Sequence, residues 1–136
     1  MTTQPAGELF GFVDLETDRD VARARKEVSK AMDSLKARAS RKTRFVTAVS
    51  EIARNAVMHG GGGRLTVYVD RNAPLVAIVC TDRGPGIADV GRAMEDGYST
   101  AGSMGRGLGG ARRLVESFTL ESAMGQGTTV TMVGSP

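Results

Sequence analysis

Two polar side chains, one helical turn apart, are the first candidates for chemistry in this chain. Glu51 and Asn55 lie four residues apart, and such positions of an α-helix project within about 40° of each other. The apolar residues of the segment centre roughly 110° away from the pair; they are Phe45, Val49, Ile52 and Ala56. At this sheltered edge a carboxylate can act as a general base, and an amide oxygen can bind a Mg²⁺ ion held mainly by phosphates and water. A solvated helix face is the alternative that the spacing leaves open.

A second candidate directly follows an apolar strand, in the segment Asp82-Arg83-Gly84-Pro85-Gly86-Ile87. Asp82 is in phase with Val76, Ile78 and Cys80, so its carboxylate shares their face of the sheet. A carboxylate there can accept a hydrogen bond from the exocyclic amine of adenine, whereas guanine presents an oxygen and is disfavoured. Gly84 and Gly86 let the backbone approach a flat base. The same residues also suit a plain turn after a strand.

The third candidate is a glycine-rich run that opens into a helix predicted to end at Ser117. It reads Gly105, Arg106, Gly107, Leu108, Gly109 and Gly110. Backbone N–H groups exposed by glycines, together with the positive end of a helix, form a site for phosphate oxygens. The chain contains no Gly-x-x-x-x-Gly-Lys-Ser/Thr string, which excludes a P-loop. A flexible linker is the alternative reading.

Period-two and period-3.6 patterns predict the elements that position these residues. Adjacent strands predict mostly antiparallel pairing in a mixed sheet covered on one face by helices, which is an α+β two-layer sandwich. The predicted elements are a strand Leu9–Leu15 with Leu9, Val13 and Leu15 on one side; a helix capped by Asp18 and running to about Ala39; a connection Arg41–Lys42; a second helix ending at His59 before four glycines; a hairpin of Leu65–Asp70 and Pro74–Asp82; a short helix Val90–Glu95; a helix Gly110–Ser117; and a hairpin of Phe118–Ser122 and Thr128–Val133.

Length and composition predict one globular domain over residues 1–136. Apolar residues make up 40% and charged residues 24% of the chain, and there is no Trp, so the core must be aliphatic with Met as filler. The one cysteine, Cys80, lies in an apolar run and is predicted to be a buried, inert thiol. No signal peptide or membrane-spanning run is visible, and we expect a cytoplasmic protein.

The net charge of +3 raises the question of a nucleic acid or membrane partner. Most of the basic excess lies between Arg19 and Arg44, without the interleaved aromatic residues that stack on bases. We therefore expect neither nucleic acid nor membrane as partner. A solvated helix face is favoured, and a basic docking surface for an acidic partner stays open.

Together the three motifs resemble the ATPase superfamily of gyrase, Hsp90, histidine kinases and MutL (GHKL), over roughly Leu9 to Val133. Within it the chain looks most like the RsbT-like switch serine/threonine kinases of bacterial stress signalling. This finer resemblance is carried by the stretches AVSEIARNAV, DRGPGIADV, MEDGYSTAGSMGRGLGGARRL and GQGTTV. It implies a Bergerat-type fold with a core over residues 8–133 and a short lid at about 88–104.

The resemblance also implies a role for each motif residue, with ATP and Mg²⁺ as the bound species. Glu51 would be the general base, Asn55 the Mg²⁺ ligand and Asp82 the adenine reader. Thr128, which starts the final strand in phase with Val130 and Met132, would lie beside the adenine. The remaining contacts would come from glycine-rich segments, namely Gly84, Gly86 and Ile87 at the base and Gly105, Arg106, Gly107, Leu108, Gly109 and Gly110 at the phosphates.

One position departs from the pattern. Many relatives carry a Lys three residues after the motif Asn, where this chain has Met58. His59 or Arg64 could supply the missing positive charge, and the sequence leaves both open.

The resemblance implies a kinase that phosphorylates a Ser or Thr of a STAS-domain antagonist or scaffold protein, in a partner-switching pathway. The kinase would afterwards be released to a downstream signalling protein, a phosphatase or sigma-factor regulator. A histidine kinase is disfavoured because the single histidine lies inside the Asn motif, with no separate acceptor domain. The alternative from another class is an anti-sigma factor that sequesters a sigma factor in a nucleotide-dependent way.

Overall fold

The computed structural model describes Pro5, residues 7–86 and residues 108–136. In this part of the chain the elements are β1 (Glu8–Leu15), α1 (Asp18–Ser34), α2 (Ala39–Met58), β2 (Gly63–Asp70), β3 (Leu75–Asp82), α3 (Leu108–Arg113), β4 (Ser117–Ser122) and β5 (Thr128–Gly134). The predicted short helix Val90–Glu95, the predicted lid at 88–104, Ile87 and the predicted phosphate contacts at 105–107 lie outside the described residues.

The five strands form one sheet in the order β1-β2-β3-β5-β4, and every pairing among them is antiparallel. The two predicted hairpins, β2–β3 and β4–β5, are confirmed. β5 also pairs with β3, so the end of β3 lies beside the start of β5. The fold is the predicted α+β sandwich.

Alternation along the strands explains why the helices cover one face of the sheet. In β2 the side chains of Leu65, Val67 and Val69 are buried against the helices. The helices contribute residues at 3.6-residue spacing, including Val21, Ala24 and Val28 from α1 and Phe45, Ala48, Val49 and Ile52 from α2. Each fully buried large aliphatic side chain contributes about 1.5–3 kcal/mol of transfer free energy. None of the described helices has the length and apolar character needed to cross a membrane.

The predicted placement of Leu9 on the same face of the sheet as Val13 and Leu15 is wrong. Leu9 pairs with Tyr68 and Gly11 pairs with Val67, so Phe10 is an extra residue in a β-bulge. The bulge changes the phase of the strand, and Leu9 is 61% exposed on the face opposite Val13 and Leu15. A period-two count across a bulge assigns the preceding residue to the wrong face.

The predicted boundary between the first two helices is also wrong. α1 ends at Ser34 rather than near Ala39, and the predicted connection Arg41–Lys42 lies inside α2. Lys36 has a left-handed φ of 56°, and the N–H of Ala37 bonds back to the carbonyl of Met32. This turn lacks the glycine that usually marks a helix end, which is why the sequence gives no signal there.

Two further boundaries differ from the prediction. The N-cap of α1 is Thr17 rather than Asp18, because Asp20 accepts hydrogen bonds from the N–H groups of Glu16 and Thr17 at 2.9 and 3.0 Å. α3 ends at Arg113, four residues before the predicted end, and β4 begins at Ser117.

Candidate functional site

A cleft that is partly open to solvent lies where the second half of α2 faces the end of β3 and the start of β5. α2 reaches the cleft because its buried face packs along the sheet, which leaves residues at the edge of that face beside the strand ends. The lining residues are Ile52, Asn55, His59, Gly60, Cys80, Asp82, Pro85, Gly86, Leu108, Thr128 and Val130. Side chains from four elements thus meet around one cleft.

The carboxylate of Asp82 is fixed by the backbone around it. Its Oδ1 accepts hydrogen bonds from the N–H of Gly84 at 2.9 Å and from the N–H of Thr128 at 3.1 Å. Hydrogen bonds to a charged acceptor are among the stronger ones in proteins. They hold the end of β3 against the start of β5 and set the direction of the carboxylate in the cleft.

Two glycines allow the end of α2 to approach Asp82 closely. A Cβ on Gly60 would collide with the carboxyl group of Asp82, and a Cβ on Gly84 would lie 2.5 Å from the Cα of Gly60. Gly86 has a φ of +81°, and a Cβ there would collide with the carbonyl of Ala123. Gly84 and Gly86 therefore make room for the protein's own backbone, and their predicted part in admitting a base stays a prediction.

Glu51 lies at the edge of this arrangement. It is one turn before Asn55 on α2, its side chain is 40% exposed, and its Oε1 lies 3.6 Å from Nη1 of Arg54. It is not among the described residues that line the cleft. A carboxylate in this position is accessible to a group that approaches from solvent.

Cys80 lines the inner wall of the cleft as a buried free thiol. Burial, together with a smaller effect of the negative charge of Asp82, raises the pKa of this thiol to about 12. The thiol stays protonated at neutral pH, which is the inert state predicted from the sequence.

The side chains at the cleft suit a hard cation that is held mainly by the phosphates of a bound ligand. Across the described ranges, no three His, Cys, Asp or Glu side chains converge into a metal cluster. Asn55 offers a neutral amide oxygen at the cleft, which suits Mg²⁺ bound chiefly by phosphates and water. Asp82 and the apolar side chains of Ile52 and Val130 suit a flat base with an amine at its edge.

The structure separates the two candidate substitutes for the missing lysine. Arg64 donates to Asp14 at 2.8 Å, and its guanidinium lies 4.2 Å from the ring centroid of Phe12. These partners place Arg64 on the helix-free face of the sheet, away from the cleft. Met58 is 56% exposed, whereas His59 lines the cleft.

The predicted site residues are thus only partly brought together. Asn55, Asp82, Gly86, Leu108 and Thr128 line one cleft, and the predicted phasing of Thr128 with the buried Val130 and Met132 is confirmed. Gly109 and Gly110 lie in α3 beyond Leu108.

Sequence reasoning assigned other lining residues to the core, a helix stop or a turn, namely Ile52, Gly60, Cys80, Pro85 and Val130. The signal for Cys80 and Val130 was available, since each lies two residues from a predicted site residue on the same strand face.

Comparison with known proteins gives a family match over most of the chain. The family model described as "Histidine kinase-like ATPase domain" matches residues 15–133. Among solved structures, the histidine kinase domain of the blue-light activated histidine kinase EL346 from Erythrobacter litoralis is similar, with a TM-score of 0.55 and 19% identity. That match covers 86% of this chain and 59% of the other, and at this identity it supports the fold alone.

Three curated proteins are similar in sequence. Serine/threonine-protein kinase RsbT of Bacillus subtilis is 43% identical over 89 residues, which cover 64% of this chain and 67% of RsbT. Anti-sigma F factor of Lysinibacillus sphaericus is 38% identical over 64% of each chain. Anti-sigma F factor of Pasteuria penetrans is 34% identical over 67% of this chain and 66% of its own length. The matches therefore span about two thirds of each curated relative.

Proposed function

Because this chain belongs to the histidine kinase-like ATPase domain family, we propose that it binds ATP with Mg²⁺ and transfers the γ-phosphate to a serine or threonine of a STAS-domain protein. The observation that carries this proposal is the convergence of Asn55, Asp82 and Thr128 around one cleft. The 43% identity to RsbT supports the kinase reading. We further propose that residues 1–136 act as one such domain in the cytoplasm.

The adenine would be held at the inner end of the cleft. Asp82 would accept a hydrogen bond from the exocyclic amine, since its direction is already fixed by Gly84 and Thr128. Ile52, Leu108 and Val130 would supply apolar contacts to the ring. Guanine would place an oxygen against the carboxylate, and the unpaired acceptors would cost about 1–3 kcal/mol.

The phosphates and Mg²⁺ would lie toward α2 and the glycine-rich run. Asn55 would bind the Mg²⁺ ion, which neutralises phosphate charge when present. Gly105, Gly107 and Gly109 would donate backbone N–H groups to phosphate oxygens, with Arg106 as a further contact. His59 would supply the positive charge or hydrogen bond that Met58 cannot.

Transfer would need a base, and we assign this role to Glu51, one turn before Asn55 on α2. Its carboxylate would accept the proton of the incoming serine or threonine hydroxyl. The hydroxyl oxygen would then bond to the γ-phosphorus while the bond to the bridging β–γ oxygen breaks, and ADP would leave. The exposure of Glu51 supports this role, because the acceptor hydroxyl belongs to another protein.

An anti-sigma factor is the second candidate. Two of the similar proteins are anti-sigma F factors, at 38% and 34% identity. In that case the same nucleotide site would control the binding of a sigma factor.

For the kinase, a downstream partner such as a phosphatase or a sigma-factor regulator would bind after the STAS-domain protein is phosphorylated.

The proposal is tested by incubating the protein with γ-labelled ATP, Mg²⁺ and STAS-domain proteins encoded beside it. We expect phosphoserine or phosphothreonine on the STAS-domain protein. Glu51→Gln should lower the rate of transfer by roughly 10²–10⁴-fold and leave ATP binding unchanged, because this side chain does not line the cleft. Glu121→Gln, an exposed change on β4, is the matched control and should transfer at the wild-type rate.

One result would change the assignment of the base, and another would count against the kinase. Transfer by Glu51→Gln at the wild-type rate would remove Glu51 from the role of base. ATP binding together with sigma-factor binding, but without phosphorylation of any STAS-domain protein, would favour the anti-sigma factor.

A further inference from the structure

One short segment accounts for the excess of basic over acidic residues in this chain. Between Lys36 and Arg44 there are five basic residues and no acidic one. Without these five, the chain has thirteen basic and fifteen acidic residues, so its net charge of +3 depends on this segment. The segment covers the α1–α2 connection and the first turns of α2.

A groove runs beside this basic segment, between the first half of α2 and the chain that follows α3. It is open to solvent, and its lining residues include Arg41, Arg44, Phe45, Leu114, Val115 and Glu116. We call it the basic groove. Its apolar part is formed by Leu114 and Val115, which are half-buried, while the ring of Phe45 is buried against Gly134.

The rim of the basic groove is positively charged. Arg41 and Arg44 are both exposed there. Arg44 donates to the carbonyl of Arg113 over a long 3.5 Å, which holds its guanidinium near the end of α3 and keeps its full charge. Among the described lining residues Glu116 is the only acidic one, and its Oε1 accepts a hydrogen bond from Ser135 at 2.8 Å.

The basic groove is separate from the cleft at Asn55 and Asp82. Arg44 and Asn55 lie eleven residues apart on α2, which is about 16 Å along the helix axis at 1.5 Å per residue. The two sites have no lining residue in common. A ligand in the groove would therefore not occupy the cleft.

We propose that the basic groove is a docking site for a protein segment that carries both acidic and apolar side chains. Acidic side chains would pair with Arg41 and Arg44, and apolar ones would cover Leu114 and Val115. Nucleic acid is the poorer fit, because the groove's aromatic ring, Phe45, is only 1% exposed and cannot stack on bases. A membrane surface is also a poorer fit, because the apolar side chains of Leu114 and Val115 are half-buried and Phe45 is buried, so none of them is fully exposed for insertion into lipid.

The test uses the full chain without nucleotide, so that its result does not depend on the proposed kinase activity. The probe is a fluorescein-labelled peptide of about fifteen residues with leucines and glutamates at helical spacing. Two comparison peptides carry lysine in place of glutamate, or serine in place of leucine. A DNA duplex and anionic phosphatidylserine vesicles are run in parallel.

We expect the acidic, leucine-containing peptide to bind more tightly than both comparison peptides. Arg41→Glu should weaken its binding about tenfold, equivalent to about 1.4 kcal/mol. Arg25→Glu, the same change at an exposed position of α1, should have no effect. Amide chemical shifts that move on peptide binding should map to Arg41, Phe45, Leu114 and Val115, which tests the location even if a variant folds poorly.

The proposal is overturned if the acidic peptide does not bind, or if its binding maps outside the groove. It is also overturned if Arg25→Glu weakens binding as much as Arg41→Glu does. Tighter binding of the DNA duplex or of the vesicles than of the peptide would assign the groove to that other class of partner.

Discussion

Asp82 links two segments of the fold, and we propose that the same carboxylate also recognises adenine. One oxygen accepts the N–H groups of Gly84 and Thr128, and this joins the turn after β3 to the start of β5. The same hydrogen bonds fix the direction in which the carboxylate meets a ligand. Either a carboxylate oxygen or a carboxamide oxygen can accept hydrogen bonds from these two N–H groups. Only a carboxylate, however, presents no hydrogen-bond donor to the cleft.

This distinction predicts the effect of Asp82→Asn. The amide oxygen of asparagine can still accept from Gly84 and Thr128, so we expect the protein to fold. The amide NH₂ group would face the exocyclic amine of adenine, and ATP affinity should fall by about 1–3 kcal/mol, or roughly 5- to 150-fold. The ratio of GTP to ATP affinity should rise. Titration calorimetry with both nucleotides measures the two effects.

Asp70→Asn is the matched control for this prediction. Asp70 also accepts two backbone N–H groups, from Asn72 and Ala73 at 3.0 and 3.1 Å, but at the far end of the β2–β3 hairpin. Its change should leave nucleotide binding intact. Equal ATP affinity in wild type and Asp82→Asn would show that this carboxylate does not read adenine.

For individual residues of the site, the sequence predicted correctly which face of the sheet they occupy, but it missed close contacts between distant residues. Period-two phase placed Asp82 and Thr128 on the buried face correctly, because no bulge interrupts β3 or β5. The approach of Gly60 to Asp82 was missed, since it joins residues 22 positions apart and depends on how α2 leans on the sheet. The glycine-rich run at 105–107 stays a prediction.

Among the elements, the start of α1 is stabilised by a titratable group. The N–H groups of Glu16 and Thr17 bond to Asp20, and these bonds lower its pKa below the ordinary value of 3.8. A carboxyl with a lowered pKa in the folded state stabilises the fold above its unfolded pKa, and this contribution is lost as pH falls through the folded pKa.

We therefore expect Asp20→Asn to lower the free energy of unfolding at pH 7, and the difference from wild type to shrink below about pH 4. Urea denaturation across this pH range measures it. Asp18→Asn changes the neighbouring acidic residue of the same first turn and should have the smaller effect at pH 7. A difference for Asp20→Asn that stays constant from pH 7 to pH 2 would contradict the role of its charge.

The errors in element boundaries have local physical causes. The left-handed Lys36 is a backbone event without a glycine, so residue type does not announce it. The bulge at Phe10 lies beside Gly11, a signal that a period-two count does not use. Where glycine does mark a helix end, as after His59, the predicted boundary is right to one residue. Helix and strand existence followed from periodicity in every described element.

On the scale of the whole molecule, α2 connects the two candidate sites. Its second half lines the cleft at Asn55 and Asp82, and its first half lines the basic groove. The α+β class and both hairpins were predictable, because consecutive strands with short turns pair antiparallel. The pairing of β3 with β5, which brings Thr128 to Asp82, joins segments 46 residues apart and could not be read from local pattern.

The central claim is that the cleft at Asn55 and Asp82 binds ATP with Mg²⁺, and calorimetric titration with ATP at several Mg²⁺ concentrations tests it most directly. We expect Mg²⁺-dependent binding by the wild type and none by Asn55→Ala. Asn72→Ala, which changes the chain's other asparagine in an exposed hairpin turn, should bind like the wild type. Absence of adenine nucleotide binding at every Mg²⁺ concentration, or wild-type binding by Asn55→Ala, would contradict the claim.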